Sequence, residues 1–112
     1  METLRFRYFL LRRPDDPTGP PANLIAEAIS LGPTQAVIWD RATNAWTFRP
    51  DVAASFLWSK PEEREEHEVQ AVDRATVERE AIHFTTVPLP TEAELTEICR
   101  EALPRWLREA RK

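Results

Sequence analysis

Residues 35–49 read QAVIWDRATNAWTFR, and this stretch decides the fold class of the chain. Its two ends, residues 35–40 and 45–49, are rich in β-branched and aromatic residues and are separated by a four-residue loop. This is the pattern of a β-hairpin. We expect Trp39 and Trp46 to approach each other across the two strands. The hairpin predicts that the sheet of this protein is antiparallel.

Toward the N terminus, the sequence predicts one more strand and one helix. Residues 3–12 alternate in side-chain character and contain Phe and Tyr, which is typical of a strand. A helix of about ten residues is expected between Pro21 and Gly32. Its apolar residues recur at helical spacing, namely Leu24, Ile25, Ala28 and Ile29.

On the C-terminal side of the hairpin, the sequence predicts a short helix, a weak fourth strand and a second helix. The short helix opens at Pro50 and runs to Trp58, with apolar residues on its inward side. Residues 67–72 favour the weak strand. Asp73 is then placed to cap the next helix, which has apolar residues at helical spacing: Val77, Ala81 and Phe84.

The last helix is predicted to begin at a capping box formed by Thr91 and Glu94. A long apolar stripe follows, made of Leu95, Ile98, Ala102 and Trp106. Cys99 lies on the same stripe in mid-helix, so we expect it to be a small buried core residue rather than a nucleophile. Pro104 lies inside this helix and predicts a kink or a break there.

Together these elements predict a single α+β domain over residues 1–112. We expect a small antiparallel sheet of three or four strands, packed on one face against three or four helices. The chain has ten prolines and only two glycines, which disfavours the glycine-rich loops that bind phosphates in nucleotide-binding folds. No membrane span is expected, and the single cysteine favours a cytoplasmic location.

The sequence contains no recognisable catalytic or metal-binding motif. His67 and Glu68 begin like the zinc-binding motif of metallopeptidases, but Ala71 stands where the second histidine would be. We therefore expect a non-enzymatic protein without a cofactor or a metal. The alternative is a small enzyme or ligand-binding domain with a pocket between the sheet and the helices, because such a pocket needs no sequence motif.

Charge is distributed unevenly along the chain. The net charge is −4, and residues 62–101 contain twelve acidic and four basic side chains. This balance disfavours a nucleic-acid partner and favours a protein partner with a basic surface. Immunity proteins, antitoxins and adaptors are examples of such a function. The predicted partner-binding residues are Trp58, Glu62, Glu63, Glu65, Glu66 and Glu68.

Two features of the sequence allow more than one interpretation. Trp58 is either an interface anchor or a rim residue that covers the edge of the core. Near the C terminus, Arg105, Arg108 and Lys112 share one helical face. That face either complements the helix dipole or binds an anionic surface.

Overall fold

A computed structural model describes residues 3–16, 18–58 and 68–110, and an antiparallel sheet of five strands forms its centre. The prediction of three or four strands was therefore too low. The strand order is β4-β3-β2-β1-β5, and every neighbouring pair is antiparallel. The strands are β1 (Phe6–Arg12), β2 (Asn23–Ala28), β3 (Ala36–Asp40), β4 (Ala45–Phe48) and β5 (Glu68–Val72).

Three helices pack on this sheet, as the α+β prediction requires: α1 (Pro50–Leu57), α2 (Arg74–Ala81) and α3 (Glu92–Ala110). The predicted caps are confirmed. The Asp73 side chain accepts a hydrogen bond from the N–H of Thr76 at 2.8 Å. Thr91 and Glu94 exchange two side-chain-to-backbone hydrogen bonds, of 3.0 and 3.2 Å. Of the kink or break expected at Pro104, the break does not occur, because α3 continues through this residue.

The hairpin that decides the fold class is confirmed. Trp39 and Trp46 lie directly opposite each other on β3 and β4, and their ring centroids are 5.2 Å apart in an edge-to-face arrangement. Asn44 ends the loop with a φ of 51°, in the left-handed region that asparagine tolerates better than most residues. The pair buries two large aromatic side chains at one edge of the sheet.

The helix predicted between Pro21 and Gly32 is wrong. This segment forms β2, which lies in the sheet between β1 and β3. Residues 24–28 are all buried, because strands flank them on both sides and a core lies on each face of the sheet. In so short an apolar run, the spacing of the apolar residues does not distinguish a strand from a helix. The Ala and Leu content favours a helix locally, but pairing with two strands overrides that preference.

Helices cover both faces of the sheet, whereas the sequence suggested that only one face was covered. We call these the α2/α3 face and the α1 face. The α2/α3 face carries the larger core, in which helix residues such as Val77 and Leu95 pack on strand residues such as Leu10 and Leu24. The smaller core of the α1 face consists of Leu11, Ile25, Ala36, Ile38 and Ala53, with the apolar side of α1 packed against it.

Candidate functional site

Trp58 lies at the C-terminal end of α1. Its backbone N–H donates to the carbonyl oxygen of Ala54 at 3.0 Å, which completes the last helical turn. Its side chain is 61% exposed, so most of the indole ring is open to solvent. A tryptophan that only covered the rim of the core would be expected to bury more of its ring. The described residues therefore leave most of the Trp58 side chain uncovered.

Two further exposed apolar side chains lie near Trp58. Ile29 is 47% exposed and Leu31 is fully exposed, and both line the same cavity as Trp58. We call Ile29, Leu31 and Trp58 the Trp58 surface. Only five large apolar side chains are exposed in the part of the chain that the structure describes, and three of them belong to this surface. Such clustering distinguishes it from the scattered apolar residues of an ordinary protein surface.

The loop that carries Leu31 joins β2 to β3 and is fixed at both ends by backbone hydrogen bonds. Ile29 N–H donates to the carbonyl oxygen of Arg5, and Ala28 N–H donates to that of Gln35, both at 2.8 Å. Gly32 turns the chain with a φ of 98°, a conformation that side chains with a Cβ rarely adopt. The hairpin geometry thus holds Leu31 at the tip of a loop beside the end of α1.

A cavity of about 570 Å³ lies between this loop, Trp58 and the sheet. Its lining includes Glu27 of β2 and Arg7 of β1, which lie directly opposite each other in the β1–β2 register. Glu27 is on the α1 face, as its position two residues after Ile25 requires. Among the described residues, Glu27 is the one charged residue that the fold buries, with 8% of its surface exposed.

The Glu27 carboxylate has no hydrogen-bond or ion-pair partner among the residues that the structure describes. The guanidinium of Arg7 attracts the carboxylate across the strands, but the two groups form no ion pair. Burial raises the pKa of Glu27 above its ordinary value, and the charge of Arg7 only partly opposes that effect. A buried carboxylate without a donor is energetically unfavourable, so its presence calls for an explanation.

The predicted acidic residues are only partly within the described ranges. Glu62, Glu63, Glu65 and Glu66 lie outside them. Glu68 is exposed on β5, opposite Arg12 of β1. Arg12 and Arg7 are five residues apart on one strand, a separation of about 17 Å at 3.3 Å per residue. Within the described residues, Glu68 and the Trp58 surface therefore occupy opposite ends of β1.

Sequence reasoning found Trp58 but missed Glu27, Ile29 and Leu31 as surface or cavity residues. Glu27 and Ile29 were predicted to lie in a helix, which gives no reason to expect them beside Trp58. The one signal available in the sequence was the shortness of the apolar run, which spans only residues 24–29. Runs of four to eight residues are more typical of strands than of helices.

A second polar cluster, on the α2/α3 face, is linked by hydrogen bonds. The hydroxyl of Tyr8 donates to Glu92 Oε2 at 3.0 Å and accepts from Arg74 Nη1 at 3.2 Å. Glu92 Oε2 also accepts from the N–H of Phe6, at a point on β1 beyond its pairing with β5. Burial is the main cause of the raised pKa of Tyr8. These bonds join β1, α2 and α3, so we assign the cluster a structural role.

Cys99 is fully buried on the α2/α3 face, as expected. Burial raises its pKa to about 11, so the thiol is neutral near pH 7 and is a poor nucleophile. Among the described residues, no group of three or more His, Cys, Asp or Glu side chains is arranged to hold a metal ion.

On the last helix, Arg105 and Arg108 are exposed, and Arg105 lies 3.4 Å from Glu109. Lys112 lies outside the described residues. No described helix has the length and apolar character needed to cross a membrane. Comparisons with protein-family models, curated proteins and solved structures returned no match.

Proposed function

We propose that this protein acts by binding another protein through the Trp58 surface. The observation that carries the proposal is the exposure of Trp58 beside Leu31 and Ile29, around a cavity with a buried carboxylate. Tryptophan is among the residues that contribute most binding energy at protein interfaces, particularly where apolar neighbours exclude water from it. The protein is non-enzymatic in this proposal, since neither Cys99 nor the Tyr8 cluster has the properties of a catalytic centre.

The proposed partner has a basic surface. Support comes from the acidic residues that follow Trp58 in the sequence, namely Glu62, Glu63, Glu65, Glu66 and Glu68. Like charges on the two proteins would repel, whereas opposite charges accelerate association and restrict the choice of partner. A nucleic acid does not suit such a surface, because its phosphates would be repelled. An immunity protein, an antitoxin or an adaptor in the cytoplasm fits this description.

A second candidate function is the binding of a small molecule in the cavity beside Trp58. The observation that favours it is the size of the cavity, about 570 Å³, which is within the range of about 300–1,000 Å³ typical of ligand pockets. The position of the cavity between the sheet and the end of α1 supports the alternative hypothesis of a pocket between the sheet and the helices. We rank it second because the rim carries a fully exposed leucine rather than an enclosing wall.

Affinity capture from an extract of the native host tests the proposal. The wild-type chain should retain a protein partner, and Trp58→Ala should reduce its affinity about tenfold or more, as loss of an interface anchor does. Ile82→Ser is the matched control, because Ile82 is 72% exposed but lies after α2, away from the cavity. Its capture should equal that of the wild type. Equal capture by Trp58→Ala, or recovery of a small molecule instead of a protein, would contradict the proposal.

A further inference from the structure

Glu27 is largely buried, and a cavity opens onto it. Only 8% of Glu27 is exposed, and the residue lines the cavity beneath the Trp58 surface. β2 is flanked by β1 and β3, so the carboxylate cannot turn to a sheet edge. Its unused hydrogen-bonding capacity is therefore available to a group that enters the cavity.

The charged groups around the cavity leave the carboxylate unpaired. Besides Glu27, Arg7 is the only charged side chain among the described residues that line the cavity. Arg7 is exposed, and its guanidinium makes no ion pair with Glu27. The loop of residues 29–34 and Trp58 contribute no charge. A cation brought into the cavity would thus meet a single buried carboxylate, the group it pairs with most strongly.

The chemistry of the lining favours an organic cation over a metal ion. Ca²⁺ takes six to eight oxygen ligands, whereas the described lining offers one carboxylate and a few hydroxyl or carbonyl oxygens. Lysine and arginine side chains instead combine an apolar stem with a charged end. The stem can pack against Trp58, which also attracts a nearby cation through its ring, while the charged end reaches Glu27.

We infer that Glu27 accepts one lysine or arginine side chain of the bound protein, and that this contact contributes to partner selection. The inference rests on the proposed function, in which the partner has a basic surface. The basic side chain would supply the donor that Glu27 lacks within the described chain. A partner without a cation at that position would leave the buried carboxylate unpaired and would bind less tightly.

A titration with model compounds tests the contact directly. The full chain is titrated with N-acetyl-lysine methylamide and with N-acetyl-norleucine methylamide, which has a similar stem but no ammonium group. Binding is followed by NMR at the Glu27 side-chain carboxyl carbon and the Trp58 indole N–H. We expect the lysine compound to bind about tenfold more tightly, as a charge-assisted hydrogen bond allows. Its affinity should rise with pH as Glu27 ionises.

The variants Glu27→Gln and Glu68→Gln complete the test. Glu27→Gln keeps the shape of the side chain but removes its charge, so it should abolish the preference for the lysine compound. Glu68→Gln removes an exposed carboxylate at the far end of β1 and should keep that preference. Equal binding of the two compounds to the wild type, or an unchanged preference in Glu27→Gln, would overturn the inference.

Partner capture separates this inference from the proposed function. If both hold, Trp58→Ala and Glu27→Gln each weaken capture of the partner about tenfold or more. If Trp58→Ala weakens capture while Glu27→Gln does not, the inference is wrong and the proposed function stands. If neither variant weakens capture, both are wrong.

Discussion

On the α2/α3 face the buried polar side chains are paired, whereas on the α1 face a buried carboxylate has no partner among the described residues. Tyr8 and Thr96 are examples on the first face. Tyr8 bonds to Glu92 and Arg74, and Thr96 accepts from the N–H of Leu4 at 2.9 Å. On the second face Glu27 borders an open cavity. Unpaired buried groups cost stability, so such a group is more readily understood as part of a binding site.

The two faces also differ in the amount of apolar surface that they bury. Two helices and strand residues from all parts of the sheet form the core of the α2/α3 face. On the α1 face, the eight-residue helix α1 is the one helix that the described residues provide. Burial of apolar surface is the main stabilising term in folding. The comparison therefore predicts that the α2/α3 face dominates stability and that the α1 face, with Trp58 at its end, is specialised for binding.

The largest effect is expected from a cavity in the larger core. Leu95→Ala removes a fully buried side chain of α3 and should lower the free energy of unfolding by about 2–5 kcal/mol. Leu57→Ala is the matched control, because Leu57 is only half-buried at the end of α1 and should cost clearly less. Urea unfolding followed by circular dichroism measures both values. A larger loss in Leu57→Ala would reverse the assignment of the two faces.

A smaller effect is expected from the paired cluster. Tyr8→Phe removes the hydroxyl that links Glu92 to Arg74 and should lower the free energy of unfolding by about 1–2 kcal/mol. Thr43→Val serves as the control, since it removes an exposed hydroxyl in the β3–β4 loop and should change stability by less than about 0.5 kcal/mol. The same urea titration compares them. Equal stability of Tyr8→Phe and the wild type would show that the cluster is not a stabilising link.

The local features of the fold were predictable from sequence because short-range chemistry determines them. The Trp39–Trp46 hairpin and the capping box of Thr91 and Glu94 were correctly predicted, since each depends on residues close in the chain. β2 was not predicted, because this segment is a strand only through its pairing with β1 and β3, and such pairing is not encoded in the local sequence. The covering of both faces was missed for the same reason, since the segment that completes the sheet had been predicted to be a helix.

The candidate site likewise has one residue that local sequence pointed to and others that it did not. The sequence drew attention to Trp58 through its position at the end of a short helix, off the apolar stripe, but left open whether the ring is exposed or covers the rim of the core. Burial of Glu27 did not follow from any local rule, because glutamate is almost never fully buried and favours helices. Its place beside Arg7 depends on the register between two strands. The register is set by the whole sheet, so only the three-dimensional structure could bring Glu27, Leu31 and Trp58 together.

The smallest expected effect has the opposite sign and sharpens the comparison most. Glu27→Gln should unfold at a higher temperature than the wild type at pH 7, because it removes the cost of a buried unpaired charge. The folded pKa of Glu27 is raised above its ordinary value of 4.5. Wild-type stability therefore falls as pH rises from 4.5, the ordinary pKa, to the raised pKa of the folded state. The advantage of the variant should vanish below pH 4.5. Melting temperatures of both proteins across this range, with Glu68→Gln as the exposed control, measure the difference. A variant less stable than the wild type at pH 7 would mean that Glu27 is paired within the folded chain.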